Sequence, residues 1–150
     1  SQRWGWLIDD WKKRGSMTSL AVSYQVAGEA YQSQAVGTAG PLQLVLMLYD
    51  RALAAIARSE WALKNKEAGS IELAHKELTR AQDIVTELML SLDHDQGGEI
   101  STSLNAIYEF CLERLTQANL EKDPASLPFV AKSLTDLREA WAHIAAETGE

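Results

Sequence analysis

The segment ELAH places Glu72 and His75 at i, i+3, the carboxylate–histidine spacing with which di-iron helical bundles hold metal. Such a site needs a second copy of the pair and two more glutamates. The only other candidate, Glu139 with His143, stands at i, i+4, the wrong spacing. His75 precedes Lys76 and is expected to face water. The single cysteine, Cys111, falls on an apolar helical stripe, where a cysteine acts as a small core residue rather than a nucleophile. No Ser-His-Asp or Cys-His arrangement is recognisable, nor a Gly-rich phosphate loop. The acidic residues are spread over polar helix faces, as solvated charges are. The residues therefore point to a non-enzymatic binding protein with no cofactor. The rival reading is a metal- or ligand-binding helical bundle.

The chain around these residues has 150 residues, which suits one domain. At that length folding buries roughly 70% of the unfolded surface, enough for a core without disulfides or metals. Apolar residues make up 46%, with three prolines and nine glycines, a helix-leaning globular composition. One cysteine excludes an internal disulfide, and the cytosol is the natural setting. No apolar stretch reaches 18 residues, so no membrane insertion is expected. The net charge of −7 argues against nucleic acid as the main partner. That charge is uneven: residues 1–15 carry +2 and residues 16–150 carry −9.

Three stretches of unlike character follow one another. Residues 1–16 hold three of the five tryptophans, and Trp4, Leu7, Ile8 and Trp11 fall at i, i+3, i+4, i+7. Gly15-Ser16 before Met17 resembles a cloning junction. The leader reads either as vector-derived or as a partner's peptide fused to the chain, able to lay an amphipathic helix in a groove; a native extension ranks third. Residues 17–40 mix small, polar and isolated apolar residues without a clear period and read as a mobile arm, with at most a short helix. Residues 41–146 carry four helical patterns. The first runs from Pro41, favoured at a first helical position, to Lys66. The second spans Ser70–Leu92, with Ile71, Leu78, Ala81, Val85, Leu88 and Leu92 on one stripe. The third spans Glu99–Asn119, with Ile100, Leu104, Ile107, Cys111, Leu115 and Ala118 inside. The fourth follows an N-cap at Ser126 and runs to Ala146, with Val130, Leu134, Leu137, Trp141 and Ile144 inside. Trp61 is also expected in or near the core. Loops of five to eight residues favour antiparallel neighbours. The fold expected is all-α: an antiparallel up-down four-helix bundle with an N-terminal arm or short helix.

The first helix carries the functional question. From Leu44 to Tyr49 six consecutive residues are apolar, covering the helix all round. Central burial explains most of that pattern. The alternative is that one face lines a groove filled only by a partner.

Four ordered segments resemble the flagellin-specific export chaperone family, FliS: AYQSQAVGTAGPLQLVLMLYDRAL, KELTRAQDIVTELMLSLD, GGEISTSLNAIYEFCLERLTQANLEKD and LTDLREAWAHI. Together they span residues 30 to about 145. Gly40, Arg51, Cys111 and Glu113 depart from the family's usual serine or threonine, glycine, methionine and arginine. The resemblance implies a small cytosolic bundle, a monomer or weak dimer. It would hold the disordered C-terminal segment of flagellin as helices wrapped around its surface, preventing premature polymerisation, and deliver it to the flagellar type III export gate. Some members also bind the anti-sigma factor FlgM, so a regulatory binding module is the alternative role. In the family the arm covers part of the groove when the client is absent, and Tyr31 matches the arm tyrosine. Leu44, Met47, Leu48, Ile107, Tyr108 and Cys111 match groove or groove-backing positions, each of them equally compatible with the core. Tyr49 and Asp50 are expected to make a structural hydrogen bond near the bundle centre. A client that folds on binding needs roughly 1,000–3,000 Å² of buried surface. A helix apolar all round supplies both an inner face and part of such a groove.

Overall fold

The computed structural model describes residues 41–148, which form α1 (Pro41–Asn65), α2 (Ser70–Leu90), α3 (His94–Glu121) and α4 (Leu127–Thr148). The leader, the arm and Tyr31 lie outside the described residues. Each helix packs against two others in cyclic order, α1 on α2 and α4, and α3 on α2 and α4. Neighbours run antiparallel. His75 Nδ1 lies 3.2 Å from Asn119 Oδ1, while Gln82, seven residues further along α2, reaches back to donate to Thr116 at 3.0 Å. This is the up-down four-helix bundle expected from the short loops. The seam between α1 and α2 is the most extensive, and that between α3 and α4 the loosest.

The helix ends follow from local chemistry. α1 starts at Pro41. It stops because Lys66 turns into the left-handed region at φ 52°, its N–H still bonded to the Ala62 carbonyl at 3.3 Å. α3 ends the same way: Lys122 has φ 54°, and the Asp123 N–H reaches back to the Ala118 carbonyl at 3.2 Å, the six-to-one bond of a Schellman turn. The Ser126 carbonyl accepts from the N–H groups of Phe129 and Val130 and so opens α4 at the expected place. Helix α2 ends at Leu90, two residues earlier than expected, though Leu92 still closes onto the core.

The stretch DHDQGG is a kink rather than a gap. Helical structure resumes at His94, five residues before the expected start, is interrupted by Gly98 at φ 54°, ψ −127°, and continues to Glu121. The Asp93 carbonyl anchors the kink by accepting from Gly97 N–H at 2.8 Å and Ser101 Oγ at 2.9 Å.

The expected stripes of α3 and α4 are buried throughout, as is that of α2 from Leu78 to Leu92. Two expectations fail. Ile71 is 53% exposed because it sits in the first turn of α2, where the bundle ends. Trp61 is 54% exposed. It lies twelve residues from Tyr49, about 120° around a helix, and so off the inward face. The all-round apolar run resolves into two faces: Leu42, Val45, Leu46 and Tyr49 are buried, Leu44 and Leu48 are half-buried, and Met47 is exposed.

At the centre, Tyr49 of α1 and Tyr108 of α3 share a hydroxyl–hydroxyl hydrogen bond, and Trp141 Nε1 of α4 donates to the Tyr49 oxygen at 3.2 Å. All three side chains are buried. Tyr49 therefore has a central polar partner as expected, but Asp50 does not share it. Asp50 is exposed and accepts a bidentate pair from Arg138 of α4.

Three outcomes follow for denaturant unfolding. Tyr49→Phe removes the indole's acceptor and the Tyr108 partner from a dry site, and should cost about 1–3 kcal/mol while leaving the helical dichroism intact. Gly98→Ala should cost about 1–3 kcal/mol from backbone conformation alone, since no atom lies within 4 Å of an added Cβ. Lys66→Gly should change stability in the opposite direction, by up to about 1 kcal/mol.

Candidate binding site

Helical position sorts the expected groove residues. Leu44 and Met47 lie 14 and 11 residues before Arg58, which places them within about 40° of it around α1. Arg58 faces α2, where its Nε lies 3.3 Å from Glu77 Oε2. The Leu44, Met47 and Leu48 edge is thus the outer rim of the α1/α2 seam, with Met47 45% exposed. Ile107 lies nine residues from Thr116, half a turn away from the face that Thr116 and Asn119 present to α2. It belongs to the α4 side of α3 and is buried there. Tyr108 and Cys111 are fully buried. The structure therefore does not join the six into one surface. It places three on an open edge of α1, and the other three in the core, with Ile107 behind the α3/α4 seam.

That seam carries an apolar concavity. A cleft of about 500 Å³ is lined by Phe110 and Arg114 of α3, Phe129 of α4, and Ala125 and Ser126 of the connecting loop. A smaller adjoining hollow of about 140 Å³ extends it toward Glu121 and Asp123. Phe129 is 59% exposed. Arg114 holds its guanidinium 5.3 Å from the Phe110 ring centroid, a cation–π contact. Ile107 precedes Phe110 by three residues and Arg114 by seven, on the same flank of α3. The residues that sequence reasoning missed are Phe110, Arg114 and Phe129. One signal was available: both phenylalanines fall outside the buried stripes of their helices, and a large aromatic off the stripe leaves part of its ring outside the core.

Among the described residues no three His, Cys, Asp or Glu side chains converge as a metal site requires. Glu72 is exposed, and the His75 ring engages Asn119 and Lys122 across the α2/α3 seam. The hydrogen bond of Arg138 to Asp50 raises its pKa further, outweighing slight burial; the guanidinium stays charged throughout. Among the described residues no helix is long and apolar enough to cross a membrane. An open apolar cleft with the Arg114 cation beside it suits the capture of an apolar segment of another chain.

The comparisons agree with that chemistry. The family described as Flagellar protein FliS matches residues 23–148. A flagellar secretion chaperone, FliS, of Bacillus subtilis is 38% identical over 112 residues, which cover 75% of this chain and 80% of the relative. Its counterpart in Salmonella typhimurium is 37% identical over 111 residues, 73% of this chain and 80% of the relative. That of Vibrio cholerae is 29% identical over 123 residues, 79% and 88% of the two chains. A match spanning all four helices and their loops, with relatives covered over most of their length, leaves one conclusion: the chain belongs to the FliS family of flagellar secretion chaperones.

Proposed function

We propose that this protein is a cytosolic export chaperone, not an enzyme, that binds the disordered C-terminal segment of flagellin. It prevents premature polymerisation and hands the segment to the flagellar type III export apparatus. The observation that carries the reading is the open apolar cleft that the described residues form between α3 and α4, beside a continuous buried core. Filament subunits bury their terminal helices against one another, so those helices are amphipathic and adhesive when free. A cleft flanked by Phe110 and Phe129 accepts such a helix by its apolar face. The α1 edge at Leu44, Met47 and Leu48 offers a second contact on another side of the bundle, which suits a client that wraps. Ile107, Tyr108 and Cys111 then act as groove backing, holding α3 in place from inside, and Tyr31 belongs to the arm that precedes α1.

Calorimetric titration of the full chain with the C-terminal segment of flagellin from the same genome tests this. One-to-one binding with a large negative heat-capacity change is expected. Phe129→Asp, at an exposed position, should weaken binding at least tenfold, a loss of about 1.4 kcal/mol, with unchanged helical dichroism. Absence of binding by the unaltered protein would sink the reading.

A further inference from the structure

Asp136 is out of place. It sits on α4 with a side chain only 3% exposed. Lys132 Nζ, one turn earlier, donates to Oδ1 at 3.1 Å. Oδ2 is buried and has no hydrogen-bond partner among the described residues. The other buried side-chain oxygen in this condition among the described residues, Glu77 Oε2, has the Arg58 guanidinium 3.3 Å from that same oxygen, whereas the Lys132 ammonium pairs with Oδ1 of Asp136 and not with Oδ2. Carboxylate oxygens in dry surroundings are normally bonded, because burying one without a donor is strongly unfavourable.

The position of Asp136 gives that vacant acceptor a meaning. Arg138, two residues on and so about 200° around the helix, faces α1 through Asp50. Asp136 therefore lies on the opposite flank, toward α3. Phe129, seven residues earlier, lies on that same flank and about 10.5 Å down the helix axis, where it lines the open cleft. The apolar cleft and the half-satisfied carboxylate are thus two stations along one loosely packed seam.

We propose that Asp136 is the polar anchor of the client groove. Its Oδ2 accepts from a lysine or arginine of the client helix that inserts its apolar face between Phe110 and Phe129. The inference rests on the chaperone reading and narrows it. Two turns of α4 separate the stations, so the client's basic residue stands seven positions from its apolar anchor, on the same face of the client helix. The unpaired oxygen gives the seam a reason to open: a helix that brings a cation satisfies a group the free protein leaves without a donor. An apolar helix lacking one fills the cleft but leaves Oδ2 bare, so the carboxylate selects among amphipathic helices.

The test is a double-mutant cycle by calorimetry, with the full chain and its Asp136→Asn and Asp136→Ala variants. Each is titrated with the flagellin C-terminal segment and with forms in which single lysines or arginines become glutamine. Melting temperatures are recorded alongside. Asp136→Asn, which keeps the shape and removes the charge, should weaken binding roughly tenfold, as loss of a charge-assisted hydrogen bond does. One client substitution should weaken binding to the unaltered chain but not to either Asp136 variant. Unchanged affinity in both variants, even with a shifted melting temperature, would mean that Asp136 is structural only and would overturn the proposal. So would equal losses for every client substitution in all three backgrounds. Failure of the unaltered chain to bind would instead remove the chaperone reading itself.

Discussion

Four helices that pack mainly against their neighbours in cyclic order need something to fix the diagonal. Here it is the hydrogen bond between the hydroxyls of Tyr49 and Tyr108, with the Trp141 indole donating into the same oxygen. Apolar packing alone is tolerant, since leucines and valines can slide along a stripe by a fraction of a turn at small cost. Three buried polar atoms that must meet are not tolerant, because each left unpaired costs about 1–3 kcal/mol. Rotating α1, α3 or α4 about its axis, or moving one by a residue, breaks this junction. The fixed diagonal is what allows the α3/α4 seam to be loose: α3 is held through Tyr108 from the inside and through Gln82, Thr116 and Asn119 on its α2 side. The bundle does not rely on close contact with α4 near the loop for its register.

Much of this architecture was written in the sequence, and the exceptions have physical causes. Helix number, order and inward stripes follow from apolar spacing, and Tyr49 announced itself as a large residue with a polar tip that must find a partner. The pairing of that tip with Tyr108 could not be read, because it depends on the rotation of two helices 59 residues apart in the chain. The turn at His94 was missed for a different reason. Two adjacent glycines normally end a helix, yet Gly98 uses its freedom of backbone angle to redirect one, while Asp93 bonds both sides of the bend. Ile71 and Trp61 failed as core residues because a stripe is a statement about direction only. It does not say where along its length a helix runs out of neighbours.

The candidate binding surface was half legible as geometry. The run from Leu44 to Tyr49 does divide into a buried and an open side, with Met47 outward. The cleft, by contrast, is a property of two helices and the loop between them, and its defining residues were those that no stripe claimed. Phe110, Phe129 and Arg114 look like ordinary surface scatter until α3 and α4 are laid side by side. The proposed function gives that scatter a meaning, since a chaperone that binds an apolar segment would keep apolar surface available for it.

Keeping that surface available raises the problem of how the free protein avoids adhering to itself. Two features of the molecule bear on it. Arg114 lies over the Phe110 ring, so a side chain that is apolar along its stem and charged at its tip covers one wall of the cleft and keeps it wetted. A helix that enters from outside can push this flexible cover aside at the cost of one exposed cation–π contact, on the order of 0.5–1 kcal/mol. The second feature is charge. With a net −7 the molecules repel one another at low ionic strength, and Glu121 and Asp123 place acid at the end of the cleft itself. A second copy approaching cleft to cleft brings like charges together, whereas an amphipathic helix with basic residues does not. On the proposed function, the arrangement penalises self-association more than client capture, and it does so with residues that contribute nothing to the core.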